Sequence, residues 1–488
     1  MNILIRSDSF YKIGSGHIYR SINLINKLIS YNFKVTYITN TNIHQLLKIK
    51  KNFKYIIDTK LSNTNLLENN KIKNFLKNNI INHIIIDTNQ FLFKPSQYII
   101  SKKIIITQIT DKYKIANINT NIINQNIFEL ISAKKNYLGS EFSFIRKLNN
   151  SKNKKDINKV NSICIFFGTS DTKKLTLRLV RFLTNFSIFQ NYKFHIILGK
   201  FNKEIEDIQN LIKNHKNFKS YYMVDDINDI YKKSDIAIGN CGLAHTERML
   251  IGLTTILISS NKLQESISAS LFKKKISFFI PNDDILFDIN LKNHFLKILN
   301  NISDINLFKN NCLLSVDNHG IDRFIIREFS SKINIINKIK FAQFSDFHIY
   351  YNLFNPLKIN GTQFFENKDI LKKYKNYFSK YISNDRILIL FQNNIPIGQI
   401  TFNKLKCNIF TISYSIKSYF NNYESILFLV NNGIKNFSKK HNSLSFICHV
   451  DFKDNLSIMI FNKLKFYAII TKINKIKVYK FTKKYEKI

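Results

Sequence analysis

The stretch Ile3-Leu4-Ile5-Arg6-Ser7-Asp8-Ser9, followed by Ile13-Gly14-Ser15-Gly16-His17-Ile18-Tyr19-Arg20, decides how this chain is read. A short apolar strand runs through a polar turn with two glycines into an amphipathic helix over about Ile18 to Leu28. Glycines at such a turn let backbone N–H groups approach a phosphate or sugar closely, and the helix start presents its positive dipole end at the same place. Histidine is the side chain best suited to exchange a proton near neutral pH. His17 is therefore a candidate catalytic group, with an ordinary surface residue in a tight turn as the alternative.

Beyond this turn, apolar runs and helical stretches keep alternating: Lys34 to Ile38, Ile84-Ile85-Ile86-Asp87, Ile104-Ile105-Ile106. Such strands, separated by helices, predict a parallel sheet covered on both faces, with ligands gathered at the carboxyl ends of the strands. Asp8, His17, Asp87 and Asp111 all fall just past such ends, where an aspartate serves equally well as a helix cap. The polar run Lys147 to Asp156 reads as a linker, after which the pattern restarts. A strand over Ser162 to Phe167 leads into Gly168-Thr169-Ser170-Asp171 and a helix from about Leu175, with further strands at Phe194 to Leu198, Ile236 to Ile238 and Thr255 to Ile258. Between the last two, Gly239-Asn240-Cys241-Gly242-Leu243-Ala244-His245-Thr246-Glu247-Arg248 is a glycine turn opening a helix. There a diphosphate fits over the helix N-terminus, and Glu247 either accepts from ribose hydroxyls or complements the helix dipole.

A net charge of +41 and a pI near 9.8 ordinarily suggest a polyanionic partner. Here the basic residues are nearly all lysine, with only nine arginines, and they are spread along the whole chain among Asn, Ile and Phe. No arginine-rich cluster or aromatic-interleaved basic stripe is present, so specific nucleic-acid binding is not expected. The 488 residues call for about three domains. Five widely spaced cysteines show no pairing or metal-ligand spacing, which predicts a reducing compartment and no bound metal. No apolar run approaches a membrane span, and the first strand starts at once; the expectation is a cytoplasmic protein without a membrane partner. Oligomeric state is left open.

A third module follows a lysine-rich connection near Lys332 to Lys340. A helix is expected near Asp369 to Tyr381, strands at Ile387 to Gln392, Ile397 to Phe402, Thr411 to Ile416 and Leu444 to Val450, then a helix starting at Asn455-Leu456-Ser457. The boundaries read from these shifts are 1–146, a linker over 147–160, 161–335, 341–475 and a basic tail over 476–488.

Two such halves facing across a cleft make an α/β architecture of two Rossmann-like domains in the glycosyltransferase-B arrangement, followed by an α+β module. Over about residues 1 to 300 the chain resembles the UDP-sugar hydrolases of pseudaminic acid biosynthesis. The motifs are Arg6 to Ser9 with Gly14 to His17, Asn124-Gln125-Asn126, Leu138-Gly139 with Arg146, Gly168 to Asp171, and Gly242 to Glu247. The resemblance implies metal- and cofactor-independent hydrolysis at the anomeric carbon, with His17 catalytic and Asp8 beside it. It places Gly14, Ser15, Gly16, Arg20, Asp87 and Asn89 on the sugar side. Gly168, Ser170, Asp171, Gly242, Leu243, Ala244, Glu247 and Gln264 fall on the nucleotide side. The chain departs from the family in Asp87-Thr88-Asn89, where an aromatic residue is usual, and in Gly168-Thr169 and Thr110-Asp111.

Residues 341 to 475 resemble GNAT acetyltransferases, on Gly398-Gln399-Ile400 and the Asn455-x-Ser457 helix start. The resemblance implies acetyl-CoA contacts at Ile416 and Asn455. Against this, the stretch Tyr419 to Ser425, which matches the family's pyrophosphate loop, holds no glycine, and Phe461 stands where a tyrosine is common.

Overall fold

The computed structural model describes residues 1–7, 16–39, 54–57, 75–87, 103–111, 117–126, 133–145, 156–224, 226–281, 289–354, 365–440, 444–474 and 476–485. The chain forms two compact units, Met1–Ile333 and Asn334–Ile488. The first holds two parallel sheets. One consists of β1 (Asn2–Ser7), β2 (Lys34–Thr39), β3 (Lys54–Ile57), β4 (His83–Asp87), β5 (Ile105–Ile109), β6 (Asn117–Asn124) and β7 (Ala133–Leu138), in the order β3-β2-β1-β4-β5-β6-β7. Alternate residues of β1 feed its two faces. Ile3 and Ile5 pack with Leu24, Ile25 and Leu28 of helix α1 (Gly16–Ser30), whereas Leu4 packs with Ile84, Ile86 and Ile106 on the other side.

The second sheet has β8 (Ser162–Phe166), β9 (Lys193–Leu198), β10 (Phe218–Tyr222), β11 (Ile236–Gly239), β12 (Thr255–Ile258) and β13 (Phe278–Ile280), in the order β10-β9-β8-β11-β12-β13. Its helices are α2 (Leu175–Thr184), α3 (Ile205–Ile212), α4 (Asn228–Lys233), α5 (Leu243–Leu250), α6 (Lys262–Lys273), α7 (Ile289–Asn300) and α8 (Ile302–Ser315). In both sheets the strand order reverses beside the first strand, so each has a switch point, β1/β4 in one and β8/β11 in the other.

Helix α9 (Gly320–Phe329), which falls within the expected 161–335 segment, returns to the first sheet. Its Ile321, Phe324, Ile325 and Phe329 lie in the same core as Ile3 and Ile5. Glu328 accepts hydrogen bonds from Lys135 Nζ at 3.2 Å and Asn121 Nδ2 at 3.0 Å, and from the Tyr137 hydroxyl. Gly320 sits so close to the end of the first domain that a Cβ would lie 2.3 Å from the Ser143 carbonyl oxygen. Part of the expected linker is also fixed: Ile157 and Asn306 exchange two hydrogen bonds of 3.0 and 2.8 Å.

The second unit is one mixed sheet, β14 (Asn337–Phe341), β15 (Ile387–Gln392), β16 (Ile395–Lys406), β17 (Ile409–Ile416), β18 (Leu444–Asp451), β19 (Tyr467–Ile473) and β20 (Ile476–Tyr485), ordered β14-β15-β16-β17-β18-β20-β19. Its helices are α10 (Phe347–Phe354), α11 (Lys368–Ile382), α12 (Tyr423–Ser438) and α13 (Asn455–Lys463). Two expectations are corrected here. The module takes in β14, ahead of residue 341, and most of the expected basic tail is β20, hydrogen-bonded between β18 and β19.

Candidate active site

Ser7 and Asp87 end β1 and β4 and are register partners at the first switch point. Helix α1 begins close by at Gly16 and carries His17 and Arg20 on one face, three residues apart. His17 Nδ1 lies 2.6 Å from Asp87 Oδ1, while Arg20 donates from Nε to Oδ2 at 2.6 Å and from Nη2 to Oδ1 at 2.5 Å. The Asp87 side chain is fully buried, Arg20 is 5% exposed and His17 11%. Burial opposes charge on Asp87, but the Arg20 guanidinium and His17 outweigh it and hold the carboxyl below its ordinary pKa. Two groups meet Nδ1 of His17, Asp87 Oδ1 at 2.6 Å and Arg20 Nη2 at 3.1 Å. An ionised carboxylate only accepts and makes the shorter contact, and Nη2 already donates to Asp87, so we assign the proton to Nδ1 and the lone pair to Nε2.

Arg20 also reaches Asp111, just past β5, through Nη1 at 3.5 Å. Asn126 Nδ2 donates to the same Asp111 oxygen at 3.0 Å, and the Asn126 N–H is held by Asn124 Oδ1 at 3.0 Å. Arg20 and Asp87, expected on the sugar side, are buried and bound to each other, and Asp87 also holds the His17 ring. Asn126 joins the site without having been singled out as a site residue, although its motif was legible. Among the described residues nothing lies within 4 Å of where a Cβ on Gly16 would stand. Asp8, Gly14, Ser15 and Asn89 lie outside the described residues.

At the second switch point, Asn240 Nδ2 donates to the Phe167 carbonyl at 3.0 Å and ties the ends of β11 and β8 together. Gly168 follows in the left-handed region, φ 98°. Asp171 spends its carboxylate on the start of α2, accepting from the Leu175 N–H at 3.0 Å and the Thr176 N–H at 2.8 Å. It caps a helix, as aspartates in such loops often do. Gln264 is also committed locally. Its Oε1 accepts from Ser260 N at 3.0 Å and Ser260 Oγ at 2.7 Å, while its own N–H bonds to Asn261 at the start of α6.

Helix α5 is different: it starts after Gly242 with no acidic residue in its first turn and, among the described residues, no side-chain cap and nothing within 4 Å of a Cβ placed on Gly242. Its opening N–H groups, at Leu243 and Ala244, therefore have no side-chain cap among the described residues. Glu247 is buried one turn further on. Cys241, just ahead of the helix, has its thiol pushed up to about 12, mainly by burial, with Arg248 opposing and the negative charge of Asp111 adding to it. Asp111 of the first sheet is thus an electrostatic neighbour of the turn that opens α5. Among the described residues no cluster of His, Cys, Asp or Glu could hold a metal ion, and no helix is long and apolar enough to cross a membrane.

In the second unit β17 and β18 pair only over Ile409–Thr411 with Ser445–Ile447, so the strands part toward Ile416. Asn455 opens α13, and the Asp454 carboxylate caps it through the Ser457 N–H at 3.0 Å. Phe461 is fully buried. The stretch at the family's pyrophosphate loop forms a short 3-10 turn, Ser418–Phe420, and the start of α12, whose Ser425 N–H is taken by the side chain of Asn422 at 3.0 Å. A helix end capped by its own chain and approached without glycine does not fit a CoA pyrophosphate.

No family model matches the chain. It is 28% identical over 301 residues to an uncharacterized protein of Methanocaldococcus jannaschii, covering 56% of this chain and 59% of that protein. The chain thus spans about three-fifths of that relative's length. Among solved structures it is similar to MurG of Acinetobacter baumannii, 12% identical over 66% of this chain and 98% of that one with a TM-score of 0.48. It is also similar to a putative acetyltransferase of Acinetobacter baylyi, 13% identical over 30% of this chain and 93% of that one with a TM-score of 0.26.

Proposed function

We propose that the first unit is an enzyme that hydrolyses a UDP-linked diacetamido-trideoxy sugar at its anomeric carbon, as in the making of pseudaminic acid. The observation that carries this reading is the 2.6 Å contact of His17 Nδ1 with an Asp87 carboxylate gripped by Arg20. Water attacks C1 of the sugar and gives its proton to His17 Nε2; the bond from C1 to the diphosphate oxygen breaks, and its electron pair leaves with UDP. Asp87 stabilises the imidazolium that forms. The N–H groups of Leu243 and Ala244 receive the charge that grows on the departing diphosphate, and Glu247 holds the ribose. Gly16 faces the sugar; Gly168 and Ser170 border the nucleotide.

For the second unit we infer a GNAT-like fold that binds acetyl-CoA weakly or not at all, on the capped, glycine-free start of α12.

The test is incubation of the chain with UDP-sugars, including the altrose-configured diacetamido-trideoxy sugar, followed by NMR. UDP with free sugar in the absence of any acceptor supports hydrolysis. Release of UDP only on adding a sugar acceptor would make the protein a glycosyltransferase, and no release under either condition would overturn both readings.

A further inference from the structure

Arg248 lies on α5 with none of its surface exposed. Its Nη2 donates to the Asn240 carbonyl at 3.1 Å, whereas Nε and Nη1 have no hydrogen-bond partner among the described residues. Its charge acts on Tyr231, with the guanidinium carbon 5.9 Å from its ring centroid, and on Cys241, His245 and Cys312. These four are neutral, and the neighbouring Glu247 also acts on Tyr231 with the opposite sign. Burial keeps the proton on the phenol and both thiols, and burial together with Arg248 keeps it off His245. Gly239 makes the room, since a Cβ there would stand 3.1 Å from both Nη1 and Nη2.

A guanidinium buried without a hydrogen-bonded counter-ion costs several kcal/mol. This one lies against the Gly239 to Gly242 turn, whose far end is the uncapped start of α5. We propose that Arg248 is the buried counter-charge and loop clamp for a nucleoside diphosphate held at the start of α5. It acts through the turn and does not touch the ligand. Holding the Asn240 carbonyl inward keeps that oxygen away from an anion, and a positive charge in a low-dielectric interior adds to the helix dipole. An uncharged nucleoside draws nothing from either effect. The inference rests on the nucleotide-sugar reading of the same turn.

The experiment is calorimetry of UDP, uridine and inorganic pyrophosphate on the full chain, comparing wild type with Arg248→Gln and Arg248→Lys. Arg248→Gln should weaken UDP and pyrophosphate by about tenfold or more and leave uridine within about twofold. Arg248→Lys should recover most of the UDP affinity, and because a buried lysine without a counter-ion is easily neutralised, its binding of UDP at pH 8 should take up protons, seen as a buffer-dependent heat absent from wild type. UDP affinity unchanged in Arg248→Gln, or uridine weakened as much as UDP, would reduce Arg248 to a packing residue while the nucleotide reading stands. If Arg248→Gln does not fold, a buffer-independent heat for Arg248→Lys equal to that of wild type overturns the inference. Wild type that binds neither UDP nor pyrophosphate overturns the nucleotide reading itself.

Discussion

Arg20 and Asp87 form a two-point fork, Nε to Oδ2 at 2.6 Å and Nη2 to Oδ1 at 2.5 Å, across the β1/β4 switch point. The fork fixes the plane of the carboxylate, and the carboxylate fixes the His17 ring. Guanidinium, carboxylate and imidazole are thus held in series.

Replacing the titrating ring should remove most of the rate. His17→Asn keeps a polar side chain of similar reach, and kcat is expected to fall by about 10²- to 10⁴-fold, the usual contribution of general acid–base catalysis. UDP affinity should stay near that of wild type, because in the proposed function the diphosphate is received at α5. Steady-state kinetics beside UDP calorimetry checks this; hydrolysis within a few-fold of wild type would move the base to one of the aspartates.

Arg20→Lys keeps the charge but loses the fork, so the carboxylate can swing and His17 with it. An expected drop of about 10- to 100-fold in kcat with little change in KM would mark a positioning residue. A large rise in KM with kcat intact would instead restore Arg20 to direct substrate contact.

His245 predicts an acid weakness unrelated to catalysis. It is buried on α5, with Nε2 3.1 Å from Ser277 Oγ, and burial first, then Arg248, depress its pKa well below 6.5. A histidine held neutral in the fold but free to charge when unfolded contributes stability that is full above pH 6.5 and is lost as pH falls from there toward its folded pKa. His319, whose pKa burial also lowers, adds in the same direction. Urea midpoints at pH 8 and pH 5.5 should therefore fall more for wild type than for His245→Gln; equal falls would show that His245 takes no part.

Acetyl-CoA should give little or no heat when titrated into the full chain. A dissociation constant in the low micromolar range, about −8 kcal/mol, would mean that the Asn422 cap opens for the cofactor and that the missing glycines matter less than their geometry suggests.

The readable parts of this fold are those where local pattern and burial agree. The isoleucine runs of β1, β4 and β15 are buried on both faces and announce themselves, and the glycine turns before α1 and α5 mark both switch points. Strand β6, Asn-Ile-Asn-Thr-Asn-Ile-Ile-Asn, does not read as buried, yet Thr120, Asn121 and Asn124 are buried because partners distant in sequence, such as Glu328 for Asn121, satisfy them. In β20 the lysines mask the alternation, and pairing with β18 on one side and β19 on the other makes the segment a strand. At the site, His17 was visible from its turn. The burial of Arg20 was not, since what takes up its donors are two aspartates 67 and 91 residues away.

The return of α9 to the first sheet sets an order of events during synthesis. The first 145 residues leave the ribosome with their core open on one side, because Phe324 and Phe329, each worth about 1.5–3 kcal/mol on burial, are not yet made. Against a typical margin of about 5–15 kcal/mol, that deficit is large. The amino-terminal half, though translated first, is therefore completed only once α9 has been made. A gene fragment ending near residue 146 should accordingly yield insoluble protein, and one extended through Phe329 should not.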